Sequence, residues 1–339
     1  MKVMVTGVGG YIGSTLAELL LQQGAEVVGL DRFFFGIDKI HDLVANPGFT
    51  PLRKDVRDVE TSDFEGLDAV CDLAALSNDP SGDLDPETTV AVNHKGRERV
   101  AQKAKEAGVK RYILASSCSV YGQGKTTNLD ETSEPHPITT YAKANLAAER
   151  SVLPLTGAGF TATVLRQATV YGLSRRMRFD LAINLMTLNA VEKAKIFVLG
   201  GGRQWRPIVH VRDTARAFLA VLNADPCQVS GETFNVGQQN TQILSLAYIV
   251  RENIPFPIEL QVVPDDPDKR DYNVSFDKFA ARLSYRPQQT PADGVREIYE
   301  ALKHGTISPD PTTYTVSWYR KINEAQRLLD SVMLNGRLL

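Results

Sequence analysis

Short apolar runs alternate with stretches of helical spacing through the first half of the chain. Lys2-Val3-Met4-Val5-Thr6 reads as a strand, Gly7-Val8-Gly9-Gly10-Tyr11-Ile12-Gly13 as a tight loop, and the residues to about Gln23 as a helix. Val27-Val28-Gly29-Leu30 is a second strand that closes on Asp31. Further strands are expected at 49–52, 69–75, 110–115 and 161–165, with helices over 86–108 and from 138 to about 153. Strands alternating with helices in this way predict an α/β fold built on a doubly wound parallel sheet.

Past residue 172 the alternation breaks down. A basic loop carrying Arg175, Arg176 and Arg178 reads as a solvated face, followed by a helix around 181–191 and a short strand at 196–199. Residues 208–236 read as a return to the first unit, with strands at 209–211 and 233–236 bracketing a helix at 214–222. The expected organisation is a Rossmann-type cofactor domain of residues 1–172 plus about 207–237, and a smaller α/β substrate domain of about 173–206 and 238–305. Residues 306–339 form a helical extension in which Trp318-Tyr319 precede a stripe of Ile322, Ala325, Leu328, Leu329 and Met333, suited to docking on the body or on a second subunit.

Composition removes several classes of function. With 38 basic and 40 acidic side chains among 339 residues, the net charge is −2, which offers no field for nucleic acid or an anionic membrane surface. No apolar run is long enough for a membrane span. Cys71, Cys118 and Cys227 are too scattered for a disulfide framework or a metal knuckle, and the expectation is a cytoplasmic protein without a metal.

The glycine loop carries the strongest chemical signal. A strand feeding a glycine-rich turn at a helix N-terminus gathers unpaired N–H groups and the positive end of the helix dipole, a combination that binds a pyrophosphate. Gly7 allows the turn, Gly10 lets phosphates approach the backbone, and Gly13 lets the helix pack on the strand. Asp31 suits the ribose hydroxyls of an adenosine and repels a 2′-phosphate, favouring NAD over NADP, although Arg32 beside it works against that choice. Asp58, beyond the third strand, suits the adenine amino group. Ser116, Ser117 and Ser119 stand at the end of the fifth strand, where open α/β sheets place ligands.

These residues resemble the extended short-chain dehydrogenase/reductases, the NAD-dependent nucleotide-sugar epimerase and dehydratase group. Thr6-Gly7-x-x-Gly10-x-x-Gly13, Asp58, Leu73-Ala74-Ala75, Asn93, the Ser-Ser-x-x-Val-Tyr-Gly run at 116–122 and Pro137-x-x-x-Tyr141 follow the family pattern in order; Asn184-Leu185, the segments 200–206 and 208–213, and Arg270 continue it. The resemblance implies NAD in contact with Gly7, Gly10, Tyr11, Ile12, Gly13, Asp31, Arg32, Asp58, Val59, Leu73, Ala74, Ala75, Asn93 and Ser116. It implies a nucleotide diphosphate sugar near Ser77, Cys118, Ser119, Thr169, Asn184, Leu185, Arg206 and Arg270, and a homodimer. By the same resemblance Tyr141 is the general base toward a sugar hydroxyl, most often at C4, and Ser117 hydrogen-bonds that hydroxyl. The function implied is NAD-dependent epimerisation through a transient 4-keto sugar. A ketoreductase of a 4-keto nucleotide sugar and a non-catalytic NAD-binding regulator are the alternatives.

The chain departs from the pattern at three places. Asn145 stands where the family has the lysine of Tyr-x-x-x-Lys, a residue that binds the nicotinamide ribose and lowers the tyrosine pKa. Moving a tyrosine from about 10 to about 7 is worth roughly 4 kcal/mol. Asn145 is a weakened ribose anchor without charge, and Lys143 points away from Tyr141, so Asn145→Lys is expected to raise the rate at neutral pH. Tyr121-x-x-x-Lys125 fits the bare pattern only as a glycine-rich loop. Second, the dehydratases carry Asp-Glu where this chain has Cys118-Ser119, which disfavours dehydration and leaves Cys118 as a packed thiol. Third, Thr169 replaces an asparagine that contacts substrate. Arg203, Arg206 and Arg270 suit a diphosphate, while His210 reads as structural.

Overall fold

The structure, a computed structural model, describes residues 1–122, 128–264 and 271–337. Its strands are β1 (Lys2–Thr6), β2 (Glu26–Asp31), β3 (Phe49–Arg53), β4 (Ala69–Asp72), β5 (Arg111–Ser117), β6 (Thr161–Gln167), β7 (Thr169–Tyr171), β8 (Lys195–Val198), β9 (Trp205–His210), β10 (Thr233–Val236), β11 (Gln239–Gln242) and β12 (Glu259–Val262). The helices of ten or more residues are α1 (Tyr11–Gln22), α2 (Arg97–Glu106), α3 (Thr140–Val152), α4 (Ala182–Lys193), α5 (Val211–Asn223), α6 (Ile243–Glu252), α7 (Pro291–Lys303) and α8 (Thr315–Val332).

Seven strands lie in the order β10-β6-β5-β4-β1-β2-β3, parallel at every pairing. Alternate residues serve two cores. Val3 and Val5 join Leu16 and Leu20 of α1 and Phe218 of α5 on one face; Met4 joins Val100 and Ala104 of α2 and Val152 of α3 on the other. All are fully buried, and each large apolar side chain so placed contributes roughly 1.5–3 kcal/mol. Burial on both faces explains the near-continuous apolar runs. This is the doubly wound α/β fold that the alternation predicts.

β9 lies between β7, parallel, and β11, antiparallel, while β12 pairs with β8. Tyr171, Ile183, Ile196, Ile208 and Leu246 form a third core there. The strand expected at 209–211 is therefore the end of β9 in the small sheet; the elements after it rejoin the large one, with α5 against α1 and β10 beside β6.

The helix expected over 86–108 is broken. Pro86–Val90 gives way to a wide π-helical turn, Ala91–Gly96, before α2 begins. Such a turn holds an extra residue, so it rotates the side chains of α2 by about 100° relative to a straight helix. At the other end of the chain, α8 docks through its beginning. Trp318 Nε1 donates to Phe34 O at 2.7 Å, and the Tyr319 ring packs 5.7 Å from that of Phe35, centroid to centroid. Further along, Leu328, Val332 and Met333 are exposed. No helix among the described residues is long and apolar enough to cross a membrane, and no group of His, Cys, Asp or Glu among them could hold a metal ion.

Behind β5, Glu149 and Arg166 form a buried pair at 2.7 Å. The Ser116 hydroxyl donates to Glu149, and Arg166 Nη1 donates to the Tyr121 hydroxyl oxygen at 2.9 Å. Glu149→Leu leaves that guanidinium buried without its carboxylate and is expected to lower stability by about 3–5 kcal/mol. A denaturant titration measures the loss, and adding Arg166→Met should recover most of it.

Candidate active site

The sheet reverses its direction of winding between β1 and β4, with β2 and β3 built outward from one and β5 and β6 from the other. The crevice at such a point is where open α/β sheets bind ligands. Here it opens into a cavity of about 710 Å³ lined by Gly7, Gly10, Tyr11, Ile12 and Gly13 on the β1 side and by Leu185, Phe197 and Arg206 on the side of the small sheets. Thr6 ties the two strand ends together: its hydroxyl donates to Asp72 Oδ1 at 2.5 Å and accepts from the N–H groups of Leu73 and Ala74, each at 3.0 Å. Gly7 has φ +68°, and a Cβ there would lie 3.0 Å from the Ala74 backbone; on Gly13 it would lie 2.2 Å from Gly7 O. Gly10 offers no side-chain cap to α1, so the helix end is left to backbone N–H groups.

Asp31 accepts from Gly9 N at 2.9 Å and from Phe33 N at 2.7 Å. Burial pushes its pKa up, and these backbone donors pull it down. Arg32 lines the cavity but is paired with Asp55 at 3.0 Å. The acid expected near adenine lies outside the cavity lining. Asp55, Val56 and Arg57 line the cavity, whereas Asp58 does not, and Val59 is wholly buried in the α2–α3 core. Asp55 caps the short turn after β3 by accepting from Arg57 N at 2.9 Å, a role that the spacing of the two acids could not assign.

Ser117 ends β5 and Tyr141 opens α3, and both line the cavity with Leu73, Ala74, Ala75 and Ser116. Thr139 caps α3, its hydroxyl oxygen accepting from Ala142 N at 3.1 Å. Burial pushes the Tyr141 phenol up; the Arg97 guanidinium pulls it down, the Asp79 carboxylate pushes it up, and hydrogen bonds with Asn145 and Ser117 pull it down. Asn145 lies one turn beyond Tyr141, wholly buried beneath the cavity wall, while Lys143 is exposed on the other side of α3.

On the substrate side, Ser77, Thr169, Leu185 and Arg206 line the cavity. Three expected substrate contacts, Asn184, Cys118 and Ser119, do not, and neither does Asn93, expected at the cofactor. Asn93 is buried and holds the loop instead, accepting from Leu76 N at 2.8 Å and donating to Leu76 O at 3.0 Å. Asn184 is spent on structure, accepting from Gly172 N at 3.0 Å and donating to Arg178 O at 2.9 Å. Cys118 donates to Arg166 O at 3.3 Å, its thiol pushed up by burial, and Ser119 lies beside it in the protein interior. Arg203 is exposed and outside the cavity, and Arg270 lies outside the described residues. His210 is fully buried outside the cavity lining, its Nε2 2.7 Å from Glu297 Oε1.

Other residues were not anticipated. Arg176 and Arg178, read as solvated, are buried and line the cavity: Arg178 pairs with Asp180 at 2.8 Å, and Arg176 stacks 3.6 Å from the Phe35 ring, its pKa lowered to about 10 by burial and by Arg178. Of the three, only Arg175 behaves as a surface charge, bridging Glu18 and Asp42. Arg97, Asp79, Gln167, Phe197 and Tyr319 also line the cavity. Both side-chain polar atoms of Gln167 are buried there without a partner.

A family model described as the NAD dependent epimerase/dehydratase family matches residues 3–237. A UDP-glucose 4-epimerase of Mycolicibacterium smegmatis is 30% identical over 325 residues, covering 90% of this chain and 99% of its own. UDP-glucuronic acid decarboxylase 1 of Arabidopsis thaliana is 26% identical over 91% of this chain and 72% of its own length. Among solved structures, a UDP-glucuronic acid 4-epimerase from Bacillus cereus in complex with UDP-glucuronic acid and NAD is similar with a TM-score of 0.81 at 25% identity, covering 90% of this chain and 99% of that one. The glycine loop, the tyrosine and serine in the cavity and a match over most of the chain lead to one conclusion: the chain belongs to the NAD dependent epimerase/dehydratase family, within the extended short-chain dehydrogenase/reductases.

Proposed function

We propose that this protein is an NAD-dependent epimerase of a nucleotide diphosphate sugar, inverting C4 through a transient 4-keto sugar. One observation carries the reading: Tyr141 and Ser117 share a cavity with the glycine loop on one side and Arg206 on the other. Relatives named as UDP-sugar 4-epimerases support the choice of C4.

The cavity fits NAD on its own geometry. The glycine loop leaves no room for side chains, the Asp31 carboxylate is fixed by two backbone N–H groups, and the Gln167 carboxamide offers an unused donor and acceptor that match another amide. With Arg32 paired to Asp55, the charge at the ribose position is that of Asp31, which supports NAD rather than NADP. Bound NAD supplies the acceptor for hydride and its donor on return. Tyr141 takes the proton from the sugar hydroxyl as that carbon is oxidised and gives it back once the ketone has turned over. Ser117 holds the same oxygen in line. Arg206 suits the diphosphate, and the ring of Phe197, 38% exposed at the cavity wall, suits the face of a base.

Incubation with a panel of nucleotide sugars in deuterated water, with and without NADH, tests the reading. A redox-neutral change at C4 without solvent deuterium supports it; consumption of NADH identifies a ketoreductase instead, and retained NAD with no turnover across the panel identifies a non-catalytic binder. Tyr141→Phe is expected to cut turnover by about 10²–10⁴-fold while the purified protein keeps its NAD, measured by absorbance and mass spectrometry. Arg206→Ala should raise KM for the nucleotide sugar about tenfold or more with kcat nearly unchanged, because a charge-assisted phosphate contact serves ground state and transition state alike.

A further inference from the structure

Position 145 carries an asparagine where the family pattern has a lysine, and the structure sets a different cation against it. Arg97, the first residue of α2, is 2% exposed and lines the cavity together with Tyr141 and Ser117. Its Nη1 donates to Asn145 Oδ1 at 2.6 Å, and its Nε donates to Ala74 O at 3.0 Å. The guanidinium therefore spans from the end of β4 to α3. Asn145 Nδ2 in turn donates to Tyr141 O at 3.0 Å, which turns the amide oxygen toward Arg97.

We propose that Arg97 and Asn145 together replace the missing lysine: Arg97 supplies the positive charge that lets Tyr141 act as a base, and Asn145 fixes where that charge stands. Arg97 is then a positioning residue that acts through Tyr141, and the inference rests on the reading of Tyr141 as the base. A lysine at 145 would reach this place from one turn along the same helix; the arginine reaches it from α2, the helix packed beside α3. The charged groups that bear on Tyr141 are Arg97 and, opposing it, Asp79 from the turn Asp79–Gly82. Asp72 lies within the electrostatic reach of Arg97, its carboxylate already accepting from Thr6 and Tyr112. Lys143 is exposed on the far side of the helix.

The sign of the effect follows from these charges. A cation favours the phenolate, so removing Arg97 moves the titration of Tyr141 to higher pH. The pairing also reverses the expectation for Asn145→Lys. A lysine there would press an ammonium against the Arg97 guanidinium in a buried place, so the single substitution should lower the rate and the stability.

The test installs a fluorotyrosine at position 141, whose lower intrinsic pKa keeps the titration within the range where the protein stays folded. Its fluorine resonance is followed against pH in the NAD-loaded protein with no sugar present. Arg97→Lys, which keeps a cation, should leave the midpoint close to that of the parent. Arg97→Gln should raise it by at least about one pH unit, and Arg97→Gln combined with Asn145→Lys should bring it back. The rising limb of kcat against pH should move in the same order. A midpoint unmoved by Arg97→Gln, or not restored in the double variant, overturns the inference. If Arg97→Gln does not fold, the double variant decides alone: a midpoint near the parent supports the inference, and one about a unit or more above it overturns it. Because the titration needs no substrate, its failure is distinct from that of the base assignment, which falls if Tyr141→Phe keeps full activity.

Discussion

A parallel sheet whose winding reverses leaves two strand ends uncovered, and everything in this molecule's active region hangs on that gap between β1 and β4. The hydrogen bond from Thr6 to Asp72 holds the two ends against each other. From Asp72 a series of buried polar contacts runs outward: to the Tyr112 hydroxyl on the next strand, into the field of Arg97, and through Arg97 to Ala74 and Asn145 at the base of α3. Groups this deep interact strongly because little water screens them, and each is costly if left alone. The sheet and Tyr141 are thus joined by one polar network, which ties the start of α3 to the strand ends as well as to its own helix.

Much of this was legible in the chain itself. The first βαβ unit announces itself because parallel strands buried on both faces must be apolar throughout, and because a turn at φ +68° against a neighbouring backbone requires the glycine at position 7. Ser117 stands out among the hydroxyls at the end of a plain apolar run, while Tyr141 is singled out by the resemblance of Pro137-x-x-x-Tyr141 to the family pattern. Arg97 carries neither signal. In the sequence it is one of several charges in Arg97-Glu98-Arg99, and the π-helical turn before α2 shifts the phase from which its inward direction would be read.

Other misreadings share a cause. Arg176 and Arg178 looked like a solvated loop because their partners, Thr312, Thr315 and Asp180, include residues more than a hundred positions away. Asp55 and Asp58 lie on one short turn, and only the path of the backbone shows which faces the cavity. β9 carries a short apolar run, Pro207-Ile208-Val209, like the strands of the large sheet, and nothing in its own residues says which sheet it will enter. In each case local pattern identified the element, while a tertiary contact decided its use.

The seat of the C-terminal helix bears on a different matter, the traffic of the cofactor. Trp318 is hydrogen-bonded to the Phe34 carbonyl, and Tyr319 lines the same cavity as Asp31, with its ring on Phe35. A dinucleotide lying along this cavity would have the first turns of α8 as part of its wall, so its exchange with solution is linked to whether that helix stays latched. A redox-neutral reaction returns its hydride within one turnover and requires no such exchange. The latch would then govern residence time rather than rate, and a fusion or deletion at the C-terminal end would be felt first in how long the protein keeps its cofactor.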